Sequence, residues 1–485
     1  MRRRITRRGF LRNAACTSAG LIVLADGRLV RGAEANEKLN LALVGVGGRG
    51  KWFVSTIPAM ENVVALCDVD DRKLDGAFKQ WDDDAKRFAN SEHSWERNRA
   101  AEYKRLVEAR PKTYNDFRKM LDEMGDGLDA VVVATPDHSH AVVSAGAIRA
   151  GKGVFCEKPL TRTVHESRAL SELARKYKVA TQMGNQGMAS GEFRRTVELI
   201  WAGALGHIKE AHVWNSGGGS GPRPEPTEEE PVPEGFHWDL WLGPAAFRPY
   251  NHEWPRRHLW REFGTCQLGN WASHTAALAF KSLKLETLWY DAAAPKIRVE
   301  AEVPETCRVN FPKWEIIRYD LPARGDMPPV RLTWYNGGGA VKEIFPKVQE
   351  IVGPPAAPGD RDKRHFSTFA GSLIVGEKGY VYGTGHSATT VLLPEEKFAD
   401  VEDPPQVLPR QGGPEQEWIK ACKGGTPGLS NFDYSGPQTE FLMLGNVATQ
   451  FEGPLEYDPA AMKVTNNAEA DAALSCEYRE GWRLE

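Results

Sequence analysis

The chain has 485 residues, of which 41% are hydrophobic and 26% charged, a composition typical of a globular protein of more than one domain. Residues 1–35 contain eight arginines and two acids, so the net charge of −3 leaves −9 on residues 36–485. This acidic balance argues against nucleic acid as a partner, and no apolar run after residue 35 is long enough for stable membrane insertion.

The first 35 residues have the order of an export signal. Arg7 and Arg8 are followed by Phe10-Leu11, by the apolar run "AACTSAGLIVLA" and by the small-residue end Ala33-Glu34-Ala35. A basic front, an apolar middle and a small-x-small end are typical of a signal peptide, and the paired arginines indicate the twin-arginine (Tat) type. We therefore expect the Tat export machinery as a partner and the periplasm, or another exported location, as the destination.

Residues 36–186 alternate short apolar runs with amphipathic stretches. The apolar runs are "LNLALVG", "VVALCDVD", "LDAVVVAT", "GVFCEKP" and "VATQMGN". Continuous β-branched runs between helical patterns predict a parallel sheet buried on both faces, which makes this part α/β. A charged insertion, residues 76–111, has helical period and is predicted to be a solvated helical excursion.

Residues 187–485 differ in texture and predict a second, α+β domain. A helix at "EFRRTVELIWAGAL" and a strand at "HIKEAHVWN" precede "GGGSGPRPEPTEEEPVPEG", which is typical of a long loop or lid. Alternating runs over residues 285–393 predict one large, mostly antiparallel open sheet. Two late helices are predicted at "PEQEWIKACKG" and "PQTEFLMLGNVATQF".

A glycine-rich turn joins the first strand to the first helix: Gly45-Val46-Gly47-Gly48-Arg49-Gly50. Glycines at this spacing allow a tight turn, a close approach of the backbone to a pyrophosphate, and close packing of the helix on the strand. Asp68 ends the next strand, 18 residues after Gly50, where a carboxylate binds the ribose diol. We predict NAD as the cofactor, while Arg72 and Lys73 leave NADP open.

Polar clusters follow two further strands of the predicted sheet. Thr135-Pro136-Asp137-His138-Ser139-His140 follows "AVVVA", and Cys156-Glu157-Lys158-Pro159 follows "GVF". Ligands of doubly wound sheets bind beyond the carboxyl ends of the strands. A lysine held there can move a proton, because burial lowers its pKa towards neutrality.

Together with "GNQ" at residues 184–186, "GALGHIKEAHVW" and the terminal "YREGW", these motifs resemble the Gfo/Idh/MocA family, which includes glucose-fructose oxidoreductase and inositol dehydrogenase. The resemblance implies that residues 36–186 are a Rossmann domain with a bound nicotinamide cofactor. It also implies sugar or cyclitol substrates, and a homodimer or homotetramer formed through the open sheet of the second domain. It implies that Lys158 contacts both the substrate hydroxyl and the cofactor. The expected cofactor-binding residues are Gly45, Gly47, Gly48, Arg49, Gly50, Asp68, Thr135, Pro136, His138, His140, Glu157, Lys158, Asn185 and Gln186.

The chain departs from the family pattern at "LGNWASHTAAL". The family has an aspartate, then a histidine four residues on, and often a second aspartate three further on; here these positions are Asn270, His274 and Ala277. His274 is a candidate acid/base with Asn270 one helical turn away. Asparagine cannot accept a proton, so His274 lacks a carboxylate to raise its pKa. A purely structural histidine stays open as an alternative.

Residues 201–271 are rich in tryptophan, whose rings can stack on sugars while their N–H groups bind hydroxyls. We expect most of these rings in the core or an interface, and one or two in a sugar cleft. The tryptophans are 201, 214, 238, 241, 254, 260 and 271. His252 and His258 lack the spacing of a zinc site, so we predict no metal and a structural or substrate-facing role for both.

The function expected from these features is an exported sugar or cyclitol oxidoreductase that retains NAD and oxidises a ring hydroxyl, with Lys158 and His274 moving the proton. Two alternatives stay open. One is an NAD-dependent glycosidase, lyase or epimerase that acts on a glycoside through a transient 3-keto sugar. The other is a non-catalytic sugar-binding protein that keeps NAD as a structural ligand.

Overall fold

The computed structural model describes residues 38–357, 359–360 and 365–484. Lys38–Glu485 form one compact unit. The predicted signal peptide, residues 1–35, lies outside the described residues, and the division of the remaining chain between residues 186 and 187 stays a prediction. Among the described helices, none is both long and apolar enough to cross a membrane.

The first sheet is parallel throughout its six strands, in the order β3-β2-β1-β4-β5-β6. This order is that of a Rossmann domain and confirms the predicted fold class. The strands are Asn40–Val44 (β1), Asn62–Cys67 (β2), Lys112–Tyr114 (β3), Ala130–Val133 (β4), Gly153–Cys156 (β5) and Thr181–Met183 (β6). The apolar runs predicted all of them except β3, which is short, polar and at the sheet edge.

Six helices accompany this sheet: Gly50–Thr56 (α1), Asp71–Phe88 (α2), Ser94–Ala109 (α3), Phe117–Met124 (α4), Asp137–Arg149 (α5) and Val164–Tyr177 (α6). The charged insertion is helical as predicted, but it is not simply solvated. Trp81 and Tyr103 are fully buried, and the Trp81 indole N–H donates to the Val54 carbonyl at 2.7 Å. One apolar stripe on each long helix is enough to attach the pair to the core.

The second sheet has nine strands in the order β13-β12-β11-β7-β10-β9-β8-β14-β15. Among the described strands, β7 and β10 pair in parallel and the other neighbours are antiparallel, as predicted for most of the sheet. The strands are Ile208–Asn215 (β7), Ile297–Glu302 (β8), Glu315–Leu321 (β9), Val330–Asn336 (β10), Ala370–Gly376 (β11), Tyr380–Thr384 (β12), Thr390–Leu393 (β13), Leu455–Asp458 (β14) and Lys463–Val464 (β15).

The helices after α6 are Gly191–Trp201 (α7), Trp238–Leu242 (α8), Cys266–Asn270 (α9), Ala272–Thr275 (α10), Ala277–Ser282 (α11), Val341–Val352 (α12), Glu395–Phe398 (α13), Pro414–Cys422 (α14), Phe432–Ala448 (α15) and Ala468–Ala472 (α16). Helices α7, α11 and α15 bury one face of the second sheet. Helix α12 packs on the other face, against Trp214 of β7 and Tyr382 of β12. The sheet is open, as predicted, because the described strands β13 and β15 end its linear order, while α12 covers part of its outer face.

Candidate functional site

A cavity of about 630 Å³ lies at the carboxyl ends of β1, β2, β4 and β5. Its lining includes the glycine turn, Asp68, Thr135 and Lys158 from the first sheet. Asn270 and a group of side chains between residues 233 and 257 line it from the far side. The volume is within the range of small-molecule and cofactor sites, and the position is that of ligands in doubly wound sheets.

The turn after β1 requires glycine at two positions. Gly45 has φ +82°, and a Cβ placed on it would lie 2.6 Å from the Ala134 carbonyl oxygen. A Cβ on Gly50 would lie 1.9 Å from the Gly45 carbonyl oxygen. These contacts leave room for backbone alone, so a ligand in the cavity meets the bare main chain, as a dinucleotide turn needs.

Asp68 holds the glycine turn from the end of β2. One carboxylate oxygen accepts the N–H of Val46 at 2.9 Å and of Gly47 at 3.3 Å, and the other accepts the N–H of Asp70 at 3.0 Å. Burial raises the pKa of Asp68, although the three N–H donors oppose the rise. The carboxylate thus sits beside the turn, at the position where a ribose diol would be bound.

Arg72, one of the two basic residues that left NADP open as the cofactor, is bound by a neighbouring carboxylate in the structure. Its Nε and Nη2 donate to the two carboxylate oxygens of Asp70 at 2.8 and 2.9 Å. A guanidinium held by a neighbouring carboxylate is less available to a 2′-phosphate. The Lys73 side chain lies against Gly47, since a Cβ there would be 3.0 Å from Lys73 Cδ.

Arg49 crosses the floor of the cavity and joins two predicted site segments. Its Nε donates to Glu157 at 2.8 Å, and its Nη2 lies 2.5 Å from the side-chain oxygen of Gln186 when that amide is oriented to accept. Gly184 lies directly against the Glu157 carboxyl group. Asn185, by contrast, is buried away from the cavity lining, with its amide 3.3 Å from Gln438.

The segment after β4 divides between the cavity and the interior. Thr135, Pro136 and His140 line the cavity, whereas His138 does not. His138 is buried against Trp241, with ring centroids 4.9 Å apart, and its Nε2 bonds the Trp241 carbonyl at 2.8 Å. Burial lowers the pKa of His138 to about 4. The predicted cofactor contact of His138 therefore has no support in its position, because its ring points into an aromatic cluster.

His140 ties together two loops of the site. Its Nδ1 lies 2.7 Å from the Pro159 carbonyl and its Nε2 lies 2.8 Å from the Thr135 carbonyl. Two carbonyl acceptors require both ring nitrogens to carry protons. Burial by itself lowers the pKa of His140, but Cys156, Asp137 and the Pro159 carbonyl raise it to about 9. A buried imidazolium thus fixes the loop that carries Lys158.

Lys158 and Asn270 meet inside the cavity. The Lys158 ammonium donates to the Asn270 side-chain oxygen at 2.5 Å and to the Asn270 carbonyl at 3.1 Å. Burial lowers the pKa of Lys158; Glu157 and Asp137 oppose this, while Arg257 and Arg49 add to it. The arrangement gives a lysine that loses its proton more readily than a surface lysine and whose position is set by α9.

His274 is 2% exposed and lies on α10, one helical turn after Asn270, behind the cavity lining rather than in it. Its Nδ1 has no hydrogen-bond partner among the described residues. Burial, and then the positive charge of Lys158, hold the pKa of His274 well below its usual range, so the ring is neutral at neutral pH. His386, which the sequence did not suggest, packs against it with ring centroids 4.8 Å apart and the ring planes tilted by 56°.

A second polar pair, which the sequence analysis did not single out, borders the cavity. Asp137 is 1% exposed and accepts Arg257 Nε at 3.0 Å and Thr265 Oγ1 at 2.7 Å. Burial alone would raise the pKa of Asp137, but Arg257 and the nearby imidazole of His258 hold it well below its usual range. The two residues are 120 positions apart in the sequence, so no local motif predicts their contact.

The tryptophan-rich region is chiefly a core. Trp238, Trp241, Trp254 and Trp260 form one apolar cluster with Phe263, and Trp241 alone of these five lines the cavity. Of the two histidines considered there, His252 is exposed and lies 2.7 Å from Glu230, while burial lowers the pKa of His258 to about 4.

Residues 39–185 match the model of the Gfo/Idh/MocA family, described as an oxidoreductase family with an NAD-binding Rossmann fold. This part of the chain is therefore similar to the Gfo/Idh/MocA family. The glycine turn, Asp68 and Lys158 all lie within the matched residues. The geometry above and the family model thus agree on a nicotinamide dinucleotide as the ligand of the cavity, and the bare turn beside Asp68 fits it.

Two curated relatives match part of this chain. The levoglucosan dehydrogenase of Pseudarthrobacter phenanthrenivorans is 33% identical over 100 residues, which is 19% of this chain and 24% of that protein. The glycosyl hydrolase family 109 protein 1 of Shewanella sp. strain ANA-3 is 26% identical over 227 residues, 42% of this chain and 44% of that protein. The matches span less than half of the length of either relative.

A solved structure extends the likeness beyond the residues that the family model matches. The WlbA dehydrogenase of Bordetella pertussis, solved with NADH and UDP-GlcNAcA, superposes with a TM-score of 0.51 at 14% identity. The superposition covers 86% of this chain and 98% of that one. At this identity the likeness shows a shared fold, including the sheet that follows the Rossmann domain.

Proposed function

We propose that this chain is an exported oxidoreductase that retains NAD and oxidises a ring hydroxyl of a sugar or cyclitol. The observation that carries the proposal is Lys158, a half-buried lysine with a lowered pKa in the same cavity as the glycine turn and Asp68. The relatives named above include a dehydrogenase whose name specifies an anhydrosugar, which supports this substrate class.

Oxidation of a CH–OH group removes a hydride from carbon and a proton from oxygen. When bound, NAD supplies the hydride acceptor. The chain's own contribution is at the proton: Lys158 Nζ, when neutral, accepts it from the substrate hydroxyl. Asn270 then holds the resulting ammonium through two oxygen acceptors, at 2.5 and 3.1 Å. Asn270 is therefore a positioning residue in this scheme, since an amide cannot take the proton itself.

His274 acts in the proposal as a neutral hydrogen-bonding group. Its buried ring is uncharged at neutral pH, and its Nδ1 lacks a partner among the described residues. A buried, unpaired ring nitrogen is costly unless a ligand or water satisfies it. We expect a substrate hydroxyl to provide that partner, and we expect no proton donation from an imidazolium at neutral pH.

Export of the protein would limit how its bound NADH is reoxidised. Outside the cytoplasm there is no soluble NAD pool, so a retained cofactor must return its hydride for a second turnover. A second sugar can accept the hydride. Alternatively, the same molecule can take it back after a transient 3-keto intermediate, with elimination or epimerisation in between. The similarity to the glycosyl hydrolase family 109 protein favours the second route as an alternative net reaction.

The deciding experiment uses protein purified from the periplasm without added cofactor. A panel of sugars, cyclitols and glycosides is tested for reduction of the bound NAD by absorbance and for products by mass spectrometry. Products from many turnovers support internal return of the hydride, and at most one equivalent per protein refutes it. A protein that binds a sugar but reduces no NAD with any of the panel is the non-catalytic binder, and the proposal is then wrong.

A further inference from the structure

The segment Pro233–Trp241, here called the strap, crosses the outer side of the cavity and joins the loop after β2. The N–H of Asp71 donates to the Gly235 carbonyl at 2.9 Å, and the N–H of His237 donates to the Val69 carbonyl at 2.8 Å. Asp70 and Phe236 form an isolated antiparallel bridge between them. The loop that follows the predicted ribose carboxylate is thus paired, main chain to main chain, with a segment more than 160 residues later.

The strap contributes side chains to the cavity wall. Pro233, Phe236, Leu240 and Trp241 line the same cavity as Asp68. Because the bridge places Phe236 opposite Asp70, the strap lies over the half of the cavity that would hold the adenosine. The opposite half contains Lys158. The outer wall is therefore apolar and close to the ribose carboxylate.

An aromatic cluster packs against the strap and fixes its position. Trp238 stacks on Trp241 with ring centroids 4.9 Å apart and an interplanar angle of 13°. Tyr250 packs edge-on against Trp238 at 5.2 Å and against Phe236 at 6.0 Å. The His138 ring fastens the end of the strap to the Rossmann domain through the Trp241 carbonyl. Fixed aromatic pairs of this kind stabilise a wall beyond the area they bury.

The carboxyl-terminal residues contact the loop that follows the strap. The backbone N–H of Arg479 donates to the Pro244 carbonyl at 3.0 Å, and its Nε donates to the Gly243 carbonyl at 2.9 Å. Trp482 lines the cavity, and the Arg118 guanidinium lies 4.2 Å from its ring centroid. The terminal "YREGW" motif thus supports the residues that follow the strap and closes one more edge of the cavity.

We propose that the strap is the outer wall of the adenosine subsite and that it keeps a bound dinucleotide from exchanging with solvent. The inference rests on the proposed function for the identity of the ligand. Release of the dinucleotide then requires the two main-chain hydrogen bonds to the β2 loop to break and the aromatic cluster to shift. These contacts are the physical reason, within this chain, for the retention of the cofactor in the proposed function.

The test is a chase experiment on the intact protein loaded with radiolabelled NAD. The protein is diluted into excess unlabelled NAD, and the label that stays bound is followed over time without any sugar present. We expect slow release from the unchanged protein and, for Phe236→Ala, release faster by about tenfold, the equivalent of ~1.4 kcal/mol. Phe247→Ala is the matched control, because Phe247 is 68% exposed and does not line the cavity.

Arg479→Gln provides a second variant outside the cavity wall, with a smaller acceleration expected. Thermal unfolding in saturating NAD checks that each variant is folded. Release from the unchanged protein within seconds, or equal rates for folded Phe236→Ala and Phe247→Ala, would overturn the inference. The chase contains no sugar, so turnover is measured separately with the sugar panel. Slow release together with no turnover supports the strap while sinking the proposed oxidation, and turnover together with rapid release does the reverse.

Discussion

The cavity has one wall from the Rossmann sheet and one from the region between Pro233 and Asn270, and the two walls are assembled differently. On the first wall, Gly45, Gly50 and Asp68 act through main-chain geometry within one strand-turn-strand unit. On the second wall, side chains far apart in sequence meet: Asn270 with Lys158, and Arg257 with Asp137. A local motif thus shapes the cofactor side, while long-range packing shapes the substrate side.

The largest effect is expected on the first wall, from Gly50→Val. A Cβ at this position would overlap the Gly45 carbonyl oxygen at 1.9 Å, so the turn must open and the bare backbone surface is lost. We expect NAD affinity to fall by at least about a hundredfold, because the turn is what lets the pyrophosphate approach. Isothermal titration of NAD into cofactor-free protein measures it.

Gly76→Ala is the control for that change. Gly76 lies within helix α2 and a Cβ there meets nothing within 4 Å, so affinity should be unchanged and the helix slightly more stable, by up to ~1 kcal/mol. Equal NAD affinity in Gly50→Val and Gly76→Ala would show that the glycine turn is not the dinucleotide site.

Next in size is Lys158→Ala, at the point where the walls meet. Removal of the proposed base should slow reduction of bound NAD by about 10²–10⁴-fold. The bound NAD itself should stay, since the glycine turn and Asp68 are untouched. Single-turnover absorbance measures the rate, and the exposed Lys176→Ala serves as the matched control. Wild-type turnover in Lys158→Ala would remove the lysine from the mechanism.

His140→Asn tests, through stability, the link between the two loops of the first wall that carry Thr135 and Lys158. The folded-state pKa of His140, about 9, is above the ordinary 6.5, so its stabilisation is fully present below pH 6.5 and is lost as pH rises through about 9. The difference in unfolding free energy between wild type and His140→Asn should therefore shrink by up to about 3 kcal/mol between pH 6 and pH 9.5. Urea unfolding at both pH values checks this. A difference that is constant with pH would show that His140 is uncharged in the fold.

The smallest expected effect comes from Asn270→Asp, on the second wall. A carboxylate beside Lys158 stabilises the ammonium and so raises the lysine pKa, by about 1–2 units for a close opposite charge. Because the proposed base must be neutral, the acidic limb of the kcat profile should move to higher pH by the same amount. Asn270→Ala removes the side-chain acceptor and should move the limb the other way. An unchanged limb in both variants would separate Lys158 from the pH dependence.

The sequence predicted the Rossmann sheet well because its strands are buried on both faces and appear as unbroken apolar runs. It missed β3, a three-residue edge strand with two exposed residues, since such a strand has no periodicity to detect. His138 and Asn185 were expected at the cofactor because they stand in motifs with true cavity residues. Neighbours on a helix or loop point in different directions, so a motif alone does not tell which of its side chains faces the ligand.

By itself, the sequence determined the dinucleotide half of this protein. A turn needing glycine, an acid at the next strand end and a lysine after a buried strand are local features, and local geometry follows from nearby residues. Tertiary structure alone decided the other half: that Asn270 holds Lys158, that the pKa of His274 is held low, and that the strap lies over the ribose carboxylate. These features depend on which distant segments pack together. Whether burial and nearby charges raise or lower a pKa is decided by the groups that the packing brings into contact.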